Sequence, residues 1–174
     1  LDARHETGRR AGRGAALALG LAGLACFASP LAAKDSLGVF GEWGAFRDPS
    51  VPRCYAIAAP QAASRGRSPF ASIGTWPERG ARGQVHLRLS RATASRSTIS
   101  LAIGQQRFAL TGAGADAWAQ DRRMDAAIVA AMRSAATMAV SGRDASGKRF
   151  TDRYSLAGAA TAMDAATIAC APDR

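Results

Sequence analysis

Apolar and polar residues alternate along much of the chain, and a period of two is the signature of strands with one buried face. Val85, Leu87 and Leu89 interleave with His86, Arg88 and Ser90, and Ile99, Leu101 and Ile103 interleave with Thr98, Ser100 and Ala102. After a turn candidate at Gly104-Gln105, residues 107–111 pair Phe108 with Leu110. These three successive strands with short connections predict an antiparallel meander. Upstream, residues 37–46 form one apolar and aromatic segment, residues 54–59 a short strand ended by Pro60, and residues 70–76 a third strand. Turns are expected at 48–52 and 77–80, and residues 61–69 read as a polar loop containing Arg65 and Arg67.

The period changes between residues 121 and 135. Met124, Ile128 and Met132 recur at four-residue spacing with Val129 beside them, which predicts an amphipathic helix capped by Asp121 and packed through its methionines. Residues 137–141 and 149–156 then read as two strands joined by the hairpin segment 142–148. The Ala-rich stretch 158–169 reads as a second helix leading to Cys170. The pattern is mainly β with two helices, in one domain and without internal repeats.

Composition qualifies this picture. Of 174 residues 48% are hydrophobic, but 42 are alanine, so large core side chains are scarcer than the percentage implies. Eighteen glycines and seven prolines without a period exclude collagen-like and low-complexity chains. The net charge is +10, and 21 of the 23 basic residues are arginine. Abundant alanine together with arginine in place of lysine fits a GC-rich coding bias, which tempers the charge as a functional signal.

The first 33 residues of the chain read as an address. Arg9, Arg10 and Arg13 precede the apolar run 15–27, and small residues end at Ala33. This is the layout of a secretory signal peptide over residues 1–33, cleaved after Ala33. A 13-residue run is shorter than the roughly 20 residues a membrane-spanning helix needs. Gly23-Leu24-Ala25-Cys26 only partly matches a lipidation site, and Ala11-Gly12 spoil a twin-arginine reading. The expected mature chain, residues 34–174, carries 19 basic and 11 acidic residues, net +8, and is periplasmic or secreted. Its two cysteines, Cys54 and Cys170, are expected to pair in an oxidising compartment. Closing so long a loop is worth about 4–5 kcal/mol in the chain-entropy model.

The order of short motifs resembles the invasion associated locus B family of exported bacterial proteins. The residues that carry the resemblance are Trp43-Gly44, Cys54-Tyr55-Ala56, Phe108-Ala109-Leu110, Ala117-Trp118, Asp125-Ala126-Ala127-Ile128, Ala131-Met132-Arg133, the run Thr151 to Leu156, Gly158 and Cys170. The resemblance implies an antiparallel immunoglobulin-like β-sandwich with two associated helices and a non-enzymatic protein, with no catalytic residues to carry over.

The residues themselves offer little chemistry. After cleavage one histidine remains, His86, on the polar side of its strand, which reads as a solvent histidine and not a metal ligand or base. There is no Gly-x-Ser-x-Gly elbow. Gly112-Ala113-Gly114 lacks the third glycine of a nucleotide loop and reads as a flexible connection. Asp121 and Asp125 share a helix face, but Asp121 is better explained as a cap. No cofactor or metal is expected.

The basic stretch is more informative. Seven arginines between Arg65 and Arg96 face only Glu78, a local net of +6. Arg65, Arg67 and Arg88 are the candidate anion contacts. Anionic envelope components, host-surface material or acidic protein surfaces suit them, and nucleic acid does not suit an exported protein. The alternative is a small-ligand protein or hydrolase with a pocket between sheet and helix, near Trp118 and Tyr154.

Overall fold

Alternation becomes burial strand by strand. In the computed structural model, which describes residues 34–62, 68–94 and 97–171, β1 (Asp35–Phe40) and β2 (Trp43–Asp48) form the first hairpin. Residues 37–46 are therefore two strands and not one segment. The chain reverses at Gly41, which holds φ +56°, a conformation that glycine adopts without a Cβ clash. β3 (Arg53–Ala58), β4 (Phe70–Trp76) and β5 (Ala81–Arg88) follow as antiparallel neighbours, with a short 3-10 turn at Pro77–Arg79.

The expected meander through residues 85–111 is corrected by the next elements. β6 (Ile99–Ile103) pairs with β7 (Gln106–Ala113), but the neighbour of β5 is a three-residue strand, β8 (Asp116–Trp118). β7 serves two partners in succession. Residues 106–110 pair with β6, and Thr111, Gly112 and Ala113 pair with Trp118, Ala117 and Asp116 of β8. The segment Gly112-Ala113 is thus ordered strand and not a flexible connection. Gly112 is required there because a Cβ would come within 2.1 Å of Ile99 Cδ1.

β9 (Thr137–Arg143) and β10 (Arg149–Ser155) complete an all-antiparallel, ten-stranded sheet in the order β1-β2-β3-β4-β5-β8-β7-β6-β9-β10. The mainly β antiparallel class with two helices is what the structure shows. The strands run as one continuous order, because β7 hydrogen-bonds into both arms.

The order also turns back on itself. Trp43 Nε1 donates to the Ser155 carbonyl at 2.9 Å, Glu42 N–H to the Ala157 carbonyl at 3.1 Å, and Gln61 N–H to the Arg153 carbonyl at 2.8 Å. The start of the sheet thereby meets its end, and one core fills the space between. That core joins Trp43, Ile73, Val85 and Leu87 from one arm to Ile99, Leu101, Val140 and Tyr154 from the other.

Two helices close the core. α1 (Arg122–Ser134) is capped by Asp121, whose carboxylate accepts the Met124 N–H at 2.8 Å, and it buries Ile128, Ala131 and Met132. Asp125, one turn on, accepts the Val85 N–H at 2.8 Å and so ties α1 to β5. α2 (Ala159–Ala169) buries Ala159, Ala162, Met163 and Ala166 and packs on β1, β2 and β3, where Ala45, Ala56 and Ala58 are buried. Here the alanine content has a structural use, since small faces on both elements let the helix lie close to the sheet. Cys170, at the end of α2, is disulfide-bonded to Cys54 of β3 with Cα atoms 5.7 Å apart. Among the described residues no helix is long and apolar enough to cross a membrane.

Candidate functional site

The outer face of the first arm is built by strand parity. In β3, β4 and β5 the positions that face the core are Cys54, Ala56, Ala58, Ala71, Ile73, Thr75, Val85 and Leu87, and Tyr55 is buried on the opposite face beside Phe46 and Arg53. The neighbours of these core positions, Arg53, Tyr55, Phe70, Ser72, Gly74, Trp76, Gln84, His86 and Arg88, therefore point away from the core. Register then lines these residues up: Tyr55 is opposite Gly74 and Gly74 opposite Gln84, while Ser72 is opposite His86 and His86 opposite Trp118.

Two stacks of side chains stand on this face. In the first, Phe46 stacks on Tyr55 with ring centroids 5.7 Å apart. The Arg53 guanidinium lies 4.7 Å from the Tyr55 ring and 5.2 Å from the Trp76 ring, and Arg79 lies 4.7 Å from Trp76. Cation–π contacts of this kind attract by about 0.5–1 kcal/mol where exposed and more where desolvated. In the second stack, His86 and Trp118 are nearly parallel at 5.2 Å, with Phe70 edge-on to His86.

Between the stacks is an open depression of about 110 Å³ lined by Arg53, Tyr55, Ser72, Gly74, Trp76, Gln84, His86 and Trp118. Drug-sized ligands occupy pockets of about 300–1,000 Å³, so this space suits one functional group or the edge of one ring. A wider depression, about 770 Å³, lies over β6, β9 and β10 among Ser97, Ser100, Ser141, Arg143, Arg149 and Thr151. It has no aromatic stack, and Arg143 already donates to the Gly147 carbonyl at 2.9 Å.

The carboxylates of the face are engaged. Asp48 accepts from the Ser50 hydroxyl at 2.7 Å and lies 3.5 Å from Arg53, so it fixes both the turn after β2 and the guanidinium. The Ser50 hydrogen bond, opposed by burial and aided by the Val51 N–H and Arg53, holds the Asp48 carboxyl below its ordinary value. Asp116 accepts from His86 Nε2 at 2.8 Å and from Arg88 at 3.1 and 3.2 Å. Burial pushes Asp116 up, but the hydrogen bonds from His86 and Arg88 outweigh it and the net shift is downward.

The residues singled out in the sequence separate. Arg65 and Arg67 lie outside the described residues, as do residues 1–33. Arg88 is on the outer face but bridges to Asp116, and Arg91 bridges to Asp144 at 3.0 Å, so both charges are largely neutralised. His86 is no solvent histidine: its side chain is 30% exposed, stacked on Trp118 and bonded to Asp116. Ser72 stands across from His86, yet no hydrogen bond links them, so the nucleophile–base contact that acyl transfer uses is not formed.

The pocket expected between sheet and helix near Trp118 and Tyr154 is overturned. Tyr154 is fully buried in the core, whereas Trp118 stands on the outer face. Among the described residues no three His, Cys, Asp or Glu side chains converge as a metal site. Arg53, Tyr55, Trp76 and Arg79 do not stand out as a group in the sequence. Their signal was parity, because Arg53 and Tyr55 share one side of β3 and Ser72, Gly74 and Trp76 one side of β4.

The family model described as Invasion associated locus B (IalB) protein matches residues 44–167. The chain belongs to the invasion associated locus B family. The match takes in the strands that carry both stacks of the outer face and most of α2. The IalB fold is also seen in a crystal structure of invasion associated protein b from Bartonella henselae. That structure is similar with a TM-score of 0.56 and 14% identity, over 78% of this chain and 97% of the other. At that identity the likeness concerns the fold alone. No curated protein sequence matches the chain.

Proposed function

We propose that this IalB-family chain is an exported, non-enzymatic interaction protein of the cell envelope or its surroundings, and that it contacts anionic material through the outer face of β3, β4, β5 and β8. The observation that carries the reading is the Arg53–Trp76–Arg79 stack, in which two guanidiniums are held against one indole on a solvent-facing sheet surface. Guanidiniums held in place by aromatic faces lose little further freedom when they engage an anion, and arginine and aromatic residues are the types enriched in contact surfaces. The Arg-rich surface expected from Arg65, Arg67 and Arg88 is thereby re-centred on Arg53 and Arg79. Export is supported by the layout of residues 1–33 and by the Cys54–Cys170 bridge, which persists in oxidising compartments.

The test is retention of the mature chain, residues 34–174, on beads coated with lipopolysaccharide, over a salt gradient. Wild type is expected to elute earlier as salt rises, and the Arg53→Ser/Arg79→Ser double variant to be retained several-fold less at low salt. Equal retention of the two proteins would overturn the reading.

A further inference from the structure

The outer face of the second arm holds two like charges side by side. Arg143 and Arg149 are register partners on β9 and β10. The Arg143 backbone turns away from β10, because its N–H donates to Ser97 Oγ at 3.3 Å and its carbonyl accepts the Ala94 N–H at 3.0 Å. The two arginines therefore occupy a non-hydrogen-bonded position, where side chains of neighbouring strands come closest. Like charges directly opposite each other destabilise a sheet. Arg53, Arg88, Arg91 and Arg133 each meet a carboxylate, but among the described residues neither Arg143 nor Arg149 does. The acids nearest in sequence are turned inward: Asp144 is buried against Arg91 and Ser146, and Asp152 accepts the Ser90 N–H at 2.9 Å. Both arginines are exposed, and the bond from Arg143 to the Gly147 carbonyl steadies that guanidinium while most of its donors stay open.

A floor of hydroxyls runs beside the pair. Ser100 lies opposite Ser141 and Ser141 opposite Thr151, so three strands bring a row of hydroxyls into line at the sheet spacing of about 4.8 Å, the scale of a sugar ring. Val140, Phe150 and Asp152, which alternate with these positions, are buried, so the arginines and the hydroxyl row share one face. Together with Ser97 and Thr98 they line the depression of about 770 Å³, a size that suits a small molecule. Its described lining contains no carboxylate.

This chemistry narrows the occupant. Two adjacent guanidiniums present more donors than one carboxylate accepts, and they match an oxoanion with three terminal oxygens. A lone ion leaves the hydroxyl floor unused, an apolar group finds no apolar wall to replace water, and a cation is repelled. We propose that this face binds a saccharide bearing a phosphate or sulfate monoester, with the oxoanion between Arg143 and Arg149 and the sugar hydroxyls along Ser141, Thr151 and Ser100. The anion offsets the repulsion between the two arginines, and the site is independent of the Arg53–Trp76–Arg79 stack on the first arm.

The test is titration of the isotope-labelled mature chain with glucose 6-phosphate, glucose 6-sulfate, glucose and inorganic phosphate, followed by amide shifts in NMR spectra. At least one ester is expected to shift the amides of Ser141, Arg143, Arg149 and Thr151, and the ester that binds names the anion. It should bind about fivefold more tightly than inorganic phosphate, and glucose should give no shift. Arg149→Gln is expected to weaken the ester about fivefold without lowering the melting temperature, since it removes a like-charge contact. Ser141→Ala should weaken the ester and leave inorganic phosphate unchanged. No shift with either ester, inorganic phosphate binding as tightly as the esters, or an unchanged affinity in Arg149→Gln would overturn the site. Arg53→Ser/Arg79→Ser should bind the ester like wild type. If that variant loses the ester, the contact belongs to the first arm, and this site falls while the proposed contact face stands.

Discussion

Trp43 Nε1 donates to the carbonyl of Ser155 at 2.9 Å across 112 positions of sequence, so the second strand is fastened to the end of the tenth. The indole is fully buried. Trp43→Phe removes the donor, leaves the Ser155 carbonyl unpaired and opens a gap in the core. The expected loss is about 2–3 kcal/mol in urea denaturation, from the orphaned acceptor and the cavity together. A loss below about 0.5 kcal/mol would show that the seam is held by other contacts.

Gly158 gives a sharper prediction about the same seam. It holds φ +85°, and a Cβ there would lie 1.8 Å from the Phe40 carbonyl oxygen. Gly80 also has a positive φ, +57°, but nothing lies within 4 Å of its added Cβ. Gly80→Ala should therefore cost only the backbone term, about 1–2 kcal/mol. Gly158→Ala must in addition push the β1–β2 turn away from α2, and its melting temperature should be markedly lower than that of Gly80→Ala. Equal melting temperatures would contradict the close approach.

Tyr154 is fully buried with its hydroxyl unpaired. Burial, with a smaller contribution from Asp152, raises the hydroxyl pKa well above its ordinary value, so the group stays neutral across the physiological range. Tyr154→Phe removes a polar atom that has no partner and keeps the ring. It should raise stability by about 1 kcal/mol, measured by chemical denaturation. A clear loss would reveal a bonded hydroxyl.

Acid should weaken the fold through four carboxylates. Asp48, Asp116, Asp144 and Asp164 all sit below their ordinary value of 3.8 in the folded chain, Asp164 through the hydrogen bond from Arg133. For Asp144 the Ser146 hydroxyl is the main cause, with the Lys148 and Ser146 N–H groups and Arg91 adding to it against burial. A depressed carboxylate contributes stability that is complete above its unfolded pKa and is lost as pH falls through its folded one. Melting temperature should accordingly hold down to about pH 4 and then drop. Asp125 opposes the trend weakly, because burial raises its pKa and protonation relieves that burial. Asp144→Asn should start lower at pH 7 and fall less between pH 4 and pH 2. A parallel fall in both proteins would clear Asp144 of the effect.

The strands that alternate cleanly were readable from sequence, because Val85 and Leu87, or Ile99, Leu101 and Ile103, bury every second side chain. β8 was not, since three residues contain no period, and its buried Ala117 is defined only by the strands on either side. The end of β7 was hidden by Gly112, a glycine chosen for the nearness of Ile99, 13 positions away in sequence. The contact face was obscured differently. Phe46, Tyr55 and Trp76 are apolar residues on a solvent side, so their hydrophobicity argued for the core, and only the register of four strands gathers them into one surface. Cys54 and Cys170 needed no register, because reading residues 1–33 as a cleaved leader leaves two cysteines and one pairing.

The placement of α2 governs the order in which the molecule can be completed. It is the last helix among the described residues, yet it packs on β1, β2 and β3, and Cys170 beyond it anchors to β3. Until α2 docks, Ala45, Ala56 and Ala58 have no lid, and their arm remains short of its buried surface. Contacts of such long sequence separation slow folding. A polypeptide of this topology locks late, when its two distant ends come together.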